Sequence, residues 1–289
     1  KAKDTDHAVV VHINTLKGKG YAPAEQHKEQ WHYNAPFDLK TGMPLYPADG
    51  EDYSSVTRDY LLKKMKEDPT VVAITSGTPT VMEFTEDKRK EAGRQFVDVG
   101  IAEETAVALA SGIAANGGKP VYGVYSSFIQ RTFDQISQDL CIDKNPATIV
   151  IFAGSVYGMN DVTHLGLQDM PMLGNIPNLV YLAPTTKEEY LAMLDWSVEQ
   201  TEYPVAIKLP GGAMISDGKE VKKDFGRLDQ YEVTRKGSKV AVIGLGTFYG
   251  LGKGVAEELK KVTGTDATVI NPYYITGIDQ DMLENLKKD

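Results

Sequence analysis

The chain has 289 residues, of which 42% are hydrophobic and 25% are charged, and its formal net charge is −9. This balance is typical of globular proteins and excludes a disordered or fibrous chain. The acidic charge argues against nucleic-acid binding, which requires a basic face. No apolar run reaches the roughly 18 residues of a membrane span. The single cysteine, Cys141, indicates a reducing setting, which we expect to be the cytoplasm.

The chain begins with a strand-like apolar run at residues 8–13, and a proline-rich connector follows at residues 18–51. A chain that starts in the middle of a strand is expected to be a piece of a longer protein.

Short β-branched runs then alternate with stretches of helical periodicity. Strands are predicted at residues 71–75, 121–124, 148–152, 179–182 and 205–208, and helices at residues 54–66, 103–116, 128–140 and 186–200. Continuous apolar strands that alternate with helices predict an α/β fold with a doubly wound parallel sheet. After a linker at residues 211–229, strands at 239–245 and 267–270 and helices at 248–262 and 279–288 predict a second, incomplete α/β unit.

A glycine turn in this second unit resembles a dinucleotide-binding motif. Gly244 and Gly246 lie between a predicted strand and a predicted helix, but Tyr249 replaces the third glycine and Asn271 stands where an acidic residue is expected. The pattern therefore favours a tight strand-to-helix turn. A nicotinamide dehydrogenase stays open as an alternative.

Three other loops follow strands at one edge of the predicted sheet, where open α/β sheets build their sites. The first carries Glu103, the second carries Tyr125, Phe128 and Arg131, and the third carries His164. Taken singly, each has a structural explanation. Glu103 would be a carboxylate at a helix start. Arg131 would form an ion pair with Asp134 or a nearby carboxylate, and His164 would be a capping or loop residue. Together they predict a site.

Several stretches in these loops also carry a family resemblance. The segments DVGIAEETAVALASGIAANGGKPVYGVYSSFIQRTFDQISQDL, VTHLGLQDM, IPNLVYLAP and KGKGYAPAE resemble the 1-deoxy-D-xylulose-5-phosphate synthase family of the thiamine-diphosphate transketolase superfamily. The resemblance implies a pyrimidine-binding domain at residues 52–214 and a partial carboxyl-terminal domain at residues 215–289. Residues 1–51 would be the connector and the tail of a missing diphosphate-binding domain, which carries the magnesium motif.

The resemblance also implies roles for individual residues. Glu103 would be catalytic and would hold the aminopyrimidine of thiamine diphosphate, Phe128 would stack on that ring, and Tyr125 and Arg131 would line the cofactor site, with Arg131 also contacting substrate. His164 and His32 would transfer protons during catalysis, since an imidazole titrates near neutral pH, and His164 would contact substrate. No residue of this chain would bind the Mg²⁺ ion.

The sequence departs from the family pattern mainly where the substrate phosphate should bind. Phe152 and Gly211 replace two arginines, so Lys208 is the candidate substrate-binding cation, although it is less specific than a guanidinium. Asn160 replaces an aspartate four residues before His164, although Asp161 is adjacent. Near the cofactor, Glu104 and Thr105 replace a glutamine and a histidine.

The implied function is condensation of pyruvate with glyceraldehyde 3-phosphate to 1-deoxy-D-xylulose 5-phosphate and carbon dioxide, a step of isoprenoid biosynthesis. A transketolase-like transfer of glycolaldehyde between sugars and a non-catalytic module that retains the fold are the alternatives. The partners would be small keto and aldehyde substrates, the missing amino-terminal half and a second copy in a homodimer. The chain by itself is expected to be inactive.

Overall fold

In the computed structural model, the structure describes residues 2–46, 50–155, 162–212 and 214–288. The chain forms two compact units, residues 1–50 and residues 51–289.

The second unit is built on a parallel sheet, which confirms the predicted α/β fold. Six strands lie in the order β2-β1-β3-β4-β6-β5, and every neighbouring pair is parallel. Their bounds are β1 Val71–Thr75, β2 Phe96–Asp98, β3 Lys119–Tyr125, β4 Thr148–Phe152, β5 Val180–Leu182 and β6 Val205–Lys208. The carboxyl ends of these strands therefore meet at one edge, as the prediction of a site requires.

Helices connect these strands and continue beyond them. Within the described residues, the α-helices are α1 Ala22–Gln26, α2 Tyr53–Glu67, α3 Glu86–Ala92, α4 Glu103–Ala115, α5 Phe133–Gln135, α6 Asp169–Leu173, α7 Lys187–Glu199, α8 Phe248–Thr263 and α9 Gln280–Leu286. Short 3₁₀ helices lie at Ala2–Asp4, Pro79–Met82, Gly93–Gln95, Ile129–Thr132 and Val162–His164, and a π-helix spans Ile136–Ile142. Asp52 caps α2, since its side chain accepts a hydrogen bond from the backbone of Ser55 at 2.7 Å.

The sheet is buried on both faces because successive side chains of a strand point to opposite sides. In β3, Val121 packs with α2 and α7 in one hydrophobic cluster, whereas Tyr122 packs with α4 in the other. All five residues of β4 are buried. This double burial explains why the strands read as continuous apolar runs in the sequence.

A smaller sheet follows the linker and belongs to the same compact unit. Its strands are β7 Glu232–Arg235, β8 Ala241–Ile243 and β9 Thr268–Asn271, and β9 pairs antiparallel with β7 and parallel with β8. The sequence did not predict β7, because three of its four residues are polar or charged, only Val233 is apolar, and none of them is buried. The Gly244 turn joins β8 to α8, as predicted.

Residues 128–140 do not form the single α-helix that their periodicity predicts. A 3₁₀ segment, the short α5 and the π-helix share this stretch. The π-helix hydrogen-bonds residues five apart, so Ile136 and Cys141 lie on one face and both are buried. Leu140 is buried as well.

The first unit corrects another prediction. Residues 8–13 are not a strand, and their side chains are exposed, with Val10 94% accessible. A strand requires a neighbour for its backbone hydrogen bonds, and none of the described residues pairs with this segment. The aromatic rings of Tyr21, Trp31 and Phe37 pack together in this unit, with centroids 4.8 to 5.8 Å apart.

Candidate active site

Glu103 is the first residue of α4, directly after the loop that leaves β2. The side chain is only 3% exposed, and its Oε2 atom is buried without an aligned hydrogen-bond donor among the described residues. An unmatched carboxylate oxygen in such a place has a high free-energy cost. Its position at the positive end of a helix offsets part of that cost.

The loop before Glu103 is held by Asp98, the last residue of β2. Asp98 Oδ1 accepts hydrogen bonds from the backbone nitrogens of Gly77 at 2.8 Å and Gly100 at 2.9 Å. Gly77 and Gly100 have φ angles of +73° and +74°, a conformation that favours glycine. One carboxylate therefore ties the loop after β1 to the loop after β2, and this fixes where α4 begins.

Arg131 lies against both carboxylates at the start of α4. Its Nη1 atom is 3.0 Å from Glu103 Oε2, and its Nε atom is 3.6 Å from Glu104 Oε1. The arginine side chain is 51% exposed, so only the glutamate end of the pair is fixed inside the protein. Arg131 comes from the 3₁₀ segment after β3, so the first two predicted loops meet at this contact.

Three rings from the second and third predicted loops form an aromatic cluster: those of Tyr125, Phe128 and His164. The centroid of Phe128 is 5.7 Å from that of Tyr125 and 5.2 Å from that of His164, and both pairs are edge-to-face. Burial raises the pKa of Tyr125, so the phenol is neutral near pH 7. Thr163 Oγ1 lies 2.8 Å from His164 Nδ1. The structure thus brings the second and third predicted loops together.

Further buried polar atoms lie in the stretch of chain that carries Tyr125, Phe128 and Arg131. Ser126 Oγ, Ser127 Oγ and Gln135 Oε1 have no hydrogen-bond partner within the described ranges. Buried polar groups in folded proteins are normally paired. Unpaired groups in the segment that also carries Phe128 and Arg131 are what a polar ligand would match.

Lys208 is the residue predicted to contact the substrate phosphate, and it lies on β6 opposite Ile151 of β4, next to Phe152, which replaces an arginine. Lys208 ends β6, and its Nζ atom lies 2.5 Å from the buried Asp169 Oδ2. Phe152 is 5% exposed and belongs to the hydrophobic core, so it offers no polar group. Asn160 and Asp161 lie outside the described residues. The substrate-binding role of Lys208 stays a prediction.

His32 lies in the first unit, where Lys17 Nζ donates a hydrogen bond to its Nδ1 atom. Its catalytic role also stays a prediction. Among the described residues, no group of three or more histidine, cysteine, aspartate or glutamate side chains could hold a metal ion. None of the described helices is long and apolar enough to cross a membrane.

Sequence reasoning missed two buried polar residues that belong with Lys208. Asp169 pairs with the Lys208 ammonium group, and Tyr181 donates a hydrogen bond to Asp169. Asp169 is fully buried and accepts a hydrogen bond from Tyr181 Oη at 2.5 Å. The only sequence signal was an acidic residue five positions after His164. Its burial depends on β5 and β6, which lie later in the chain.

Comparisons with known proteins agree with this geometry. The family model described as "Transketolase, pyrimidine binding domain" matches residues 50–214. The 1-deoxy-D-xylulose-5-phosphate synthases of Clostridium acetobutylicum and Clostridium beijerinckii are each 37% identical over 291 aligned residues, which cover 100% of this chain and 46% of each relative. The chain thus spans about half the length of the curated relatives it matches.

Solved structures show the same fold. A split-gene transketolase, described as an inactive β4 tetramer, matches with a TM-score of 0.65 and 21% identity, over 81% of this chain and 75% of that one. A Pichia stipitis transketolase in complex with sedoheptulose 7-phosphate has a TM-score of 0.65 and 17% identity, over 88% of this chain and 40% of that one. Because the family model covers more than half of its 289 residues, the chain belongs to the transketolase pyrimidine-binding domain family.

Proposed function

We propose that the full-length protein is a thiamine-diphosphate-dependent transferase that condenses pyruvate with glyceraldehyde 3-phosphate, giving 1-deoxy-D-xylulose 5-phosphate and carbon dioxide. The family match and the synthase relatives at 37% identity support this reaction class. The observation that carries the proposal is the buried Glu103 Oε2 atom, which has no aligned donor in the described part of the chain.

The residues present fit the aminopyrimidine end of thiamine diphosphate. Glu103 offers a buried carboxylate oxygen without an aligned hydrogen-bond donor to a ring nitrogen, and the rings of Phe128 and Tyr125 come from the loop that also carries its ion-pair partner Arg131. An aromatic side chain orients a flat ligand ring at little cost in conformational entropy. When bound, the cofactor supplies an electron sink for the cleavage of the bond between the keto carbon and the carboxylate of pyruvate.

The chain's own residues would then act as follows. Glu103 holds a proton shared with the pyrimidine nitrogen N1′, and burial keeps water from competing for it. Arg131 supplies the positive charge that lies beside this carboxylate in the structure. His164 moves a proton to or from the substrate oxygen, and its ring is held against Phe128.

Three further roles belong to the same proposal. His32 is a second proton-transfer group, Arg131 and His164 contact substrate, and Lys208 contacts the phosphate of the acceptor. The transketolase-like alternative is supported by the solved structures only at the level of the fold, since their identity to this chain is 17–21%.

The remaining parts of the proposal concern the whole protein. Magnesium and the cofactor diphosphate would bind residues in the part of the synthases that this chain does not span, which is about half of their length. We propose a homodimer in the cytoplasm. The single cysteine, which is buried, is compatible with a reducing compartment.

The test is the substitution Glu103→Gln in the full-length protein, which keeps the volume of the side chain and removes its charge. Turnover of pyruvate should fall by at least about 100-fold, because the group that holds the pyrimidine proton is lost. The matched control is Glu86→Gln, since Glu86 is also the first residue of a helix but is exposed. The control should keep turnover within about twofold.

Two outcomes would overturn the proposal. If folded Glu103→Gln protein keeps turnover within a few-fold of the wild type, Glu103 is not catalytic. If thiamine diphosphate with Mg²⁺ does not raise the melting temperature of the wild-type protein, the non-catalytic module is the better description. Stabilisation by NADH instead would favour the dehydrogenase alternative.

A further inference from the structure

A buried group of three polar residues lies beside the loop that carries His164. Asp169 begins α6, Lys208 ends β6, and Tyr181 lies in the middle of the neighbouring strand β5. Asp169 Oδ2 accepts hydrogen bonds from Lys208 Nζ and from Tyr181 Oη, both at 2.5 Å. We call these residues the Asp169 cluster. It joins the start of α6 to two strands of the sheet.

Burial of the Asp169 cluster carries a high desolvation cost, so the cluster adds little net stability to the fold. Asp169 is fully buried and the Lys208 side chain is only 11% exposed, so both charges have lost most of their hydration. Asp169 Oδ1 has no hydrogen-bond partner in the described part of the chain. Burial lowers the pKa of Lys208, against the opposing effect of Asp169. Apolar residues of the same volume would serve stability at least as well.

The geometry around Lys208 indicates what the cluster holds. Lys208 Nζ lies 3.5 Å from the carbonyl oxygen of Gly166, two residues after His164. A Cβ atom on Gly166 would lie 2.4 Å from the oxygen of Ala153, and one on Gly154 would lie 2.6 Å from Lys208 Nζ. Gly166 is therefore packed directly on the residues that follow β4, with the ammonium group of Lys208 beside it.

We propose that the Asp169 cluster is a positioning device that fixes the loop bearing His164, so that the imidazole keeps its place against Phe128. The proposal rests on the proposed function in one respect, that His164 acts on the substrate. Lys208 and Tyr181 are thereby positioning residues, which act through Asp169 and the loop. A misplacement of about 1 Å at a reacting group can reduce turnover by about 100-fold, so such a device affects the rate strongly.

The experiment compares three variants of the full-length protein. Lys208→Met removes the ammonium group, and Tyr181→Phe removes a single hydrogen bond and is the milder change. Lys119→Met is the matched control, since Lys119 also forms ion pairs, with Asp68 and Glu199, at the opposite edge of the same sheet. Each variant is measured for kcat, for KM with both substrates and for the dissociation constant of thiamine diphosphate.

We expect Lys208→Met to lower kcat by about 10- to 100-fold. The dissociation constant of the cofactor should stay within about twofold, because none of its proposed contacts belongs to the Asp169 cluster. Tyr181→Phe should lower kcat by a few-fold, and Lys119→Met should leave it unchanged. A rise in the KM for the aldehyde acceptor with an unchanged kcat would overturn the positioning role, since Lys208 would then act only through its proposed contact with the acceptor phosphate.

A second readout does not depend on turnover. The rate at which diethyl pyrocarbonate modifies His164, measured by mass spectrometry of the peptide that contains it, should rise several-fold in Lys208→Met and in Tyr181→Phe and stay constant in Lys119→Met. An unchanged rate in both cluster variants would contradict the positioning role. If the wild-type protein does not convert pyruvate, the proposed function fails, and the modification rates still decide the role of the cluster.

Discussion

Arg131 Nη1 lies 3.0 Å from Glu103 Oε2, although the glutamate is 3% exposed and the arginine is 51% exposed. One partner is thus fixed inside the protein and the other reaches it from solvent. The half-exposed arginine side chain has open space beside it, whereas the glutamate side chain is enclosed by the protein. The arginine supplies the positive charge next to this buried carboxylate.

This asymmetry predicts the result of a double-mutant cycle on stability. Arg131→Met should lower the free energy of unfolding by about 1 kcal/mol, because it leaves a buried carboxylate without its cation while the half-exposed arginine is screened by water. Glu103→Gln should be close to neutral alone and should cancel most of the effect of Arg131→Met in the double variant. Urea unfolding measures all four proteins, and additive effects would contradict a direct interaction between the two residues.

Gly166→Ala should impair turnover more than stability. The new Cβ atom would lie 2.4 Å from Ala153 O and 2.7 Å from Ser126 Oγ, so the His164 loop must shift away from the end of β4. We expect a loss of kcat of about 100-fold. The control is Gly254→Ala in α8, where a Cβ meets nothing within 4 Å and should stabilise the helix by about 1 kcal/mol. Equal kcat values for the two variants would show that the loop position is unimportant.

Asp68 makes stability depend on pH in the acid range. Its hydrogen bonds from Thr70, followed by one from Lys119, lower the pKa of the carboxyl to about 2. Because the folded pKa lies below the unfolded value, this stabilisation is fully present above about pH 4. It is lost as the pH falls toward 2. Asp68→Asn should therefore flatten the fall in unfolding free energy over this window.

The control for that pH series is Asp143→Asn, which changes an exposed carboxyl group. Its unfolding free energy should follow the pH dependence of the wild type. If Asp68→Asn and the wild type lose stability with the same slope between pH 4 and pH 2, the hydrogen bonds of Asp68 do not contribute as described.

Cys141 should report unfolding. The thiol is 2% exposed, and burial raises its pKa to about 12, so it is neither accessible nor ionised at pH 8. We expect no reaction with iodoacetamide in the native protein, and full alkylation in urea at a rate typical of a free cysteine. Rapid alkylation of native protein at pH 8 would show that the segment from Ile136 to Ile142 opens locally.

Much of the fold could be predicted from the sequence because the strands of a parallel sheet are continuous apolar runs. β4 is the simplest case, since its five apolar or β-branched residues are all buried. The prediction was wrong at residues 8–13, where an equally apolar run has no neighbour to pair with among the described residues. An apolar, β-branched segment is able to form a strand, but it does so only where a neighbouring strand pairs with it.

The candidate site could be predicted only in part. Glu103 and Arg131 were each singled out, and the ion-pair interpretation of Arg131 considered a nearby carboxylate. In the structure, that carboxylate belongs to Glu103. The bond between Asp169 and Lys208 could not be foreseen, because the two residues are 39 positions apart and their contact depends on the order of β5 and β6 in the sheet. Sequence-local reasoning finds residues at strand ends, whereas buried pairs depend on topology.

The central claim is the reaction itself, and the most direct measurement is release of labelled carbon dioxide from [1-¹⁴C]pyruvate. The full-length protein would be assayed with thiamine diphosphate, Mg²⁺ and glyceraldehyde 3-phosphate, and with each component left out in turn. The account predicts carbon dioxide release that requires the cofactor and that matches the 1-deoxy-D-xylulose 5-phosphate formed. Transfer of glycolaldehyde from a ketose phosphate to an aldose acceptor, without release of carbon dioxide from pyruvate, would contradict it.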